Sequence, residues 1–291
     1  MKCFVCGVSG KSRICAKPKC LKSIEQRDDG NIIANKILRD LEASRLLIDL
    51  AVSAVQSERW KMIFLPMPVS YSHLGQTELQ EHAISIMSRW DNIVGACIDN
   101  IESLKCDSIL HNMLGESFVF LKFTMMTCNI TKVNSNNFEI SESQVRIFKV
   151  INSDKKEKQF ASKHTGTPKF LYHGSNCENW YSIIRNGLKN MSNTEWMLNG
   201  QKYGSGIYCS DSLKTSFDYA HGAHGAHGAR ENNEQMRIVA MLEPHVNCWR
   251  RASDHYIVSD HHDLIIRYLL VADSTKIDFT KLNRELNVLN M

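Results

Sequence analysis

The sequence predicts an α+β chain in which a helical first half precedes a strand-rich second half. Over Gly30–Arg59 and again from Thr77 to about Ser103 apolar residues recur every three or four positions, the period of helices that bury one side. Met62–Leu65 between them reads as a connection or short edge strand. From Asn137 onward apolar and polar residues alternate, as in half-buried strands. Four clustered cysteines precede both regions and predict a small Cys-rich, zinc-type knuckle.

Composition sets the outer limits. With 43% apolar residues and 5 prolines in 291 residues, the chain reads as an ordinary folded protein. The formal charge of +4 is too small to indicate nucleic acid as a partner. The longest apolar stretch, Ser117 to Ile130, is short for a membrane span and is interrupted by Lys122. The start, Met1-Lys2-Cys3, lacks the apolar run of a signal peptide, which predicts an intracellular, cytoplasmic protein with reduced thiols.

Cys3, Cys6, Cys15 and Cys20 follow a C-x2-C-x8-C-x4-C spacing, two pairs suited to a tetrahedral ion. Gly7 and Gly10 give the backbone freedom of a knuckle turn, and Lys11, Arg13, Lys17 and Lys19 favour thiolate over thiol. Four thiolates leave no open position for water, so the zinc expected here is structural. Cys97, Cys106, Cys128, Cys177, Cys209 and Cys248 are scattered singly and read as small buried hydrophobes.

The expected division is a Cys-rich segment over 1–24, a helical region over 25–108 and a third domain over 109–291. A long helix over Gly30–Arg59 carries Ile33, Ile37, Leu46, Leu50 and Val55 on its apolar face, with Asp29 as its N-cap. A second helix is expected from Thr77 to about Ser103, and a short third over Ser108–Leu114. Trp60, His73 and His82 read as packing or surface residues. Phe138, Ile140 and the run Val145–Val150 read as strands, and Asp154-Lys-Lys-Glu-Lys158 as a solvated turn.

The chemistry is written farther on. Lys169-Phe-Leu-Tyr-His-Gly-Ser175 is a strand ending on His-Gly-Ser, followed by a helix over Trp180–Asn186 that Gly187 closes. Tyr203-Gly-Ser-Gly-Ile-Tyr208 comes next. Asp211 or Ser212 then caps a helix bearing Ser216 and Tyr219. Strands are expected over Arg237–Glu243 and Asp254–Val258, and Leu264–Val271 is expected to close the sheet.

In order, spacing and residue type these pieces resemble the catalytic domain of the poly(ADP-ribose) polymerase-like ADP-ribosyltransferases. The Cys-rich opening resembles the sixth and eighth numbered members of that family, and Leu264–Ala272 the sixteenth. The resemblance implies a split β-sheet fold of the ADP-ribosyltransferase type and NAD as substrate. It implies that Gly174 offers its backbone to the nicotinamide carboxamide and that Ser216 donates to the carboxamide oxygen. Tyr208 and Tyr219 would flank the pyridinium ring, and His173, assisted by Ser175, would bond the adenosine ribose.

The catalytic trio implied by the resemblance is His173, Tyr208 and His255, where polymerising members have glutamate at the last position. A carboxylate there stabilises the oxocarbenium-like state, whereas a neutral histidine supplies no charge. The expected activity is therefore mono-ADP-ribosylation of protein acceptors, a pentosyl transfer releasing nicotinamide. The alternative is a catalytically silent NAD-binding or scaffolding protein. A one-residue register slip exchanges His255 and Asp254. The tripeptide repeat His221-Gly-Ala-His224-Gly-Ala-His227-Gly-Ala reads as a low-complexity surface loop, with a metal-binding or gating loop as its alternative.

Overall fold

The computed structural model describes residues 29–64, 67–133, 145–162, 169–194, 202–221, 236–273 and 277–289. The Cys3, Cys6, Cys15 and Cys20 cluster, Phe138, Ile140, His224 and His227 lie outside these residues. The contacts divide the chain into two compact units. Among the described residues, those up to Asn129 together with Glu178–Asn186 form one, and Ile130–Cys177 with the chain from Gly187 onward form the other. The division at Asn129/Ile130 lies beyond position 108, which falls inside a helix.

The first unit is helical, with α1 (Gly30–Arg39), α2 (Leu41–Gln56), α3 (Trp60–Ile63), α4 (Gln76–Ser88), α5 (Trp90–Asn100), α6 (Cys106–Leu114) and α7 (Ser117–Thr127). The single helix expected over Gly30–Arg59 is broken at Asp40, whose side chain accepts the amide of Ala43 at 2.9 Å and so caps a new helix. Asp29 stands at the N-cap position of α1 but makes no side-chain capping bond. The second expected helix is broken at Arg89, which leaves the helical conformation and donates to the Met113 carbonyl at 2.7 Å. Helix α7 is buried almost all round, which explains why its sequence shows no apolar stripe.

A distant segment completes this unit. Helix α9 (Asn179–Asn186) places Tyr181 against Phe64 with ring centroids 5.1 Å apart, and Phe64 stacks in turn on Phe120 at 5.2 Å. Arg185 is buried, donates to the Phe64 carbonyl at 3.0 Å and lies 4.8 Å from the Tyr181 ring. Arg59 donates to Glu178 Oε1 and Asn179 Oδ1, both at 2.9 Å.

The second unit holds two antiparallel sheets. One has the order β1-β2-β8-β5-β3, from Ile130–Lys132, Val145–Val150, Leu264–Ala272, Arg237–Pro244 and Leu171–Ser175. The other has the order β4-β7-β6, from Ile207–Cys209, His255–Val258 and Trp249–Ala252. The stretch expected to close the sheet, β8, lies instead in its middle, between β2 and β5. Helices α10 (Leu213–Asp218) and α11 (Phe279–Leu289) cover one face, where Leu213, Phe217, Leu282 and Leu286 meet Val145, Ile147, Val239 and Met241. The period of two along those strands puts these residues on one side.

The charged run at 154–158 is not a turn but the start of α8 (Asp154–Ala161). Ser153 caps it by accepting the Lys156 amide at 3.3 Å. Glu157 pairs with Arg267 at 2.7 Å, and Arg267 also reaches Glu243 at 2.6 Å. Those long-range partners make a helix of residues that locally read as solvated.

Candidate active site

The site forms where the two sheets of the second unit diverge. A single bridge joins them: Tyr172 donates to the Ser210 carbonyl at 2.7 Å and accepts from the Ser210 amide at 2.9 Å. Because Tyr172 turns its peptide groups toward Ser210, the alternation of an antiparallel strand turns those of His173 toward β5. The N–H and C=O of Gly174, two residues on, then face the same edge as those of Tyr172, where β3 and β4 separate. An edge with polar backbone turned outward is where a planar amide binds as a further strand would.

Gly174 is also the point of closest packing. A Cβ built there would lie 1.9 Å from the Ser216 carbonyl oxygen and 3.1 Å from the Ala220 nitrogen. Only glycine lets α10 sit against β3 and bring Ser216 and Tyr219 to the strand end. Ser212, one of the two expected caps, fixes that helix by accepting the Thr215 amide at 3.2 Å. Ser216 is buried, and Tyr219, just past the helix, is 44% exposed.

His173 Nδ1 lies 2.8 Å from the carbonyl oxygen of Tyr208. A carbonyl only accepts, so Nδ1 carries the proton and the neutral ring presents Nε2 as an acceptor. Burial holds the imidazole below the ordinary histidine range, against the opposing effect of the bond to Tyr208.

The G-x-G segment is shaped by its glycines and tied at several points. Gly206 has φ +148°, and a Cβ there would lie 2.3 Å from Ile257 Cγ2. The Tyr208 hydroxyl accepts the Tyr203 amide at 3.0 Å and donates to the Gly204 carbonyl at 2.7 Å. Ser192 Oγ accepts the Gly206 amide at 3.0 Å, and Arg250 donates to the Tyr203 carbonyl.

His255 opens β7 and pairs with Ala252 across the hairpin, while exposed Asp254 sits in the turn. Tyr208 pairs with Ile257, so Tyr208, Ile257 and His255 share one face of the small sheet. Tyr256 points the other way, is buried, and donates to Asp211 Oδ2 at 2.8 Å while accepting from Lys169 at 2.7 Å. The His255 ring stands 5.9 Å from Tyr208, 6.1 Å from Tyr219 and 5.9 Å from Tyr203. His255 Nδ1 is buried and has no hydrogen-bond partner among the described residues. Buried polar atoms are ordinarily bonded, and this nitrogen can still take a hydrogen-bond partner.

The structure thus gathers His173, Gly174, Tyr208, Ser216, Tyr219 and His255 at one cleft, with Ser175 at the end of the same strand. Sequence reasoning missed Tyr203 as a neighbour of His255, although it stands in the G-x-G segment. Nothing local marks Ser192 or Arg250.

The family described as the poly(ADP-ribose) polymerase catalytic domain matches residues 127–229. That stretch of the chain is thus similar to a poly(ADP-ribose) polymerase-type catalytic domain. It is 28% identical over 225 residues to the mouse (Mus musculus) protein mono-ADP-ribosyltransferase PARP8, an alignment covering 71% of this chain and 26% of that protein. The human (Homo sapiens) protein of the same name is also 28% identical, with 71% and 25% covered. The chain therefore spans about a quarter of the length of these curated relatives. Among the described residues no helix is long and apolar enough to cross a membrane.

Proposed function

We propose that the chain uses NAD to transfer one ADP-ribose to a protein side chain, with release of nicotinamide. The observation that carries this is the close packing of Gly174 on Ser216 together with the Tyr208 and Tyr219 rings beside His255. Gly174 holds the carboxamide through its N–H and C=O, and Ser216 donates to the carboxamide oxygen. Tyr208 and Tyr219 hold the cationic ring by their faces. His173 Nε2 and Ser175 bind the adenosine ribose, and His255 Nδ1 bonds a hydroxyl of the nicotinamide ribose.

In the reaction the glycosidic C–N bond breaks and its electron pair goes to the pyridinium nitrogen, giving neutral nicotinamide. The oxocarbenium-like carbon is then captured by an acceptor nucleophile, which loses its proton. An imidazole at position 255 orients the hydroxyl but brings no negative charge, and it does not activate an incoming ribose. This supports one transfer without elongation.

Incubation with labelled NAD tests the reading. Label on protein together with an equivalent of nicotinamide is the expected result, abolished in Gly174→Trp; bound NAD without nicotinamide release refutes turnover. The missing carboxylate favours a second reading, an NAD-binding scaffold without catalysis, which that outcome would establish. Zinc at Cys3, Cys6, Cys15 and Cys20 belongs to this proposal as a structural ion and predicts one thiolate-bound zinc per chain.

A further inference from the structure

Strand β7 ends at Val258, and the chain passes through a short 3₁₀ turn, His261–Asp263, into β8. Three ligating side chains stand in succession there. Asp260 Oδ1 lies 2.8 Å from His262 Nδ1 and 3.8 Å from His261 Nδ1, and each residue has a ligand atom within 4.8 Å of one on each of the others. The two imidazole rings are 4.1 Å apart, and both turn Nδ1 toward the same carboxylate oxygen. Ligand atoms on a tetrahedral zinc stand about 3.3 Å apart, so the two measured separations each differ from that by about 0.5 Å.

The turn is held from outside as well as within. The Asp263 amide donates to the Asp260 carbonyl at 3.0 Å, and the His262 amide to Asp260 Oδ1 at 2.9 Å. From the neighbouring connection the His245 amide donates to the Asp263 carbonyl at 2.8 Å, and Cys248 Sγ donates to the same oxygen at 3.5 Å. The buried ring of His245 bonds Asp263 Oδ1 at 3.3 Å and the Phe160 carbonyl at 3.0 Å. A backbone fixed in this way has little ordering left to lose when a ligand binds. The side chains of Asp260 and His262 are 54% and 51% exposed, which leaves further coordination positions to water.

We propose that Asp260, His261 and His262 form a surface site for a divalent first-row transition metal of the zinc or nickel class. Two imidazoles and one carboxylate are donors suited to such ions and not to magnesium. The cation takes the place of any proton on His262 Nδ1, which is released to solvent, and no redox step is involved. The site lies beyond the end of β7 opposite His255, with the strand's length of about 10 Å between them, and does not depend on the NAD reading.

The full chain is dialysed against about 10 µM free Zn²⁺, in excess over a micromolar site, and its metal content measured. His261→Ala/His262→Ala is expected to hold one equivalent fewer than wild type. Sites elsewhere, at the N-terminal cysteines or the His-Gly-Ala repeat, contribute equally to both proteins and cancel. Asp260→Asn is expected to weaken that equivalent at least about ten-fold, and it carries the test if the double variant melts early. Equal zinc content in wild type and a folded double variant overturns the proposal, as does unchanged affinity in Asp260→Asn.

Discussion

Adding one methyl at Gly174 probes the pocket at its tightest point. In Gly174→Ala the new Cβ would lie 1.9 Å from the Ser216 oxygen, 3.0 Å from the Ser216 carbonyl carbon and 3.1 Å from the Ala220 nitrogen. Ordinary contact begins at 3.4 Å, so strand and helix must part by 3.4 − 1.9 = 1.5 Å. All three atoms are backbone, and no flexible side-chain end can swing away. On one side β3 is held by its ladder to β5; on the other, α10 is held by the Ser212 cap and by Leu213 and Phe217 in the core. Overpacking of this kind costs roughly 1–3 kcal/mol. At about 2–4 °C per kcal/mol for a domain of this size, the melting temperature should fall by about 2–12 °C. The same displacement carries Ser216 and Tyr219 away from the strand edge, and misplacement of about 1 Å costs on the order of 100-fold in rate. Differential scanning calorimetry and nicotinamide release across NAD concentrations measure both effects. A variant that melts with wild type and turns over NAD with unchanged kinetics would refute the packing and the binding roles together.

His255→Glu supplies the absent carboxylate and should raise nicotinamide release about ten-fold, equivalent to about 1.4 kcal/mol of transition-state stabilisation, while His255→Ala lowers it; equal rates in the two would exclude a charge effect. The His173 imidazole is held below its unfolded value of 6.5 by burial, so below about pH 6.5 the unfolded chain binds more protons than the folded one. Stability should therefore be level from pH 8 to about 6.5 and decline in more acidic buffer, with NAD binding lost as Nε2 protonates; His173→Gln should remove that part of the profile in thermal melts. Tyr208→Phe deletes the hydroxyl that bonds Tyr203 and Gly204 at 3.0 and 2.7 Å, and should cost about 1 kcal/mol and weaken NAD affinity a few-fold. An unchanged melting temperature would show that the G-x-G segment holds its shape without it. Removing zinc with a strong chelator should release one thiolate-bound equivalent, and Cys3→Ser/Cys6→Ser should lack it by metal analysis.

Elements whose sequence carries their own packing pattern were legible. The apolar faces of α1, α2, α4 and α5 repeat at helical spacing, but the breaks at Asp40 and Arg89 depend on a cap and on a bond to the Met113 carbonyl. Strand β6, Trp249-Arg-Arg-Ala252, exposes both arginines and shows no alternation, and β1 is only three residues long. The position of β8 in mid-sheet follows from which strands pair, and a strand does not encode that in its own residues. Helix α9 shows the same limit, because Phe64, which Tyr181 stacks on and Arg185 bonds, lies more than a hundred residues earlier.

The cleft itself was legible to a different degree at each position. His173, Gly174, Tyr208, Ser216 and Tyr219 stand in short motifs whose spacing survives any uncertainty in tertiary packing. Position 255 has no such local marker, since a slip of one residue puts Asp254 there instead. What fixes it is the neighbour: Tyr256 is tied between Asp211 and Lys169 on the far face of β7, so His255 must turn toward Tyr208. The residue presented to the cleft is therefore an imidazole whose buried Nδ1 has no hydrogen-bond partner among the described residues, and not a carboxylate. On the proposed reading that nitrogen can anchor a ribose hydroxyl but cannot offset positive charge at the reacting carbon. The nucleophile must then supply that stabilisation as it approaches, which ties turnover to the chemistry of the acceptor more closely than a glutamate at the same place would.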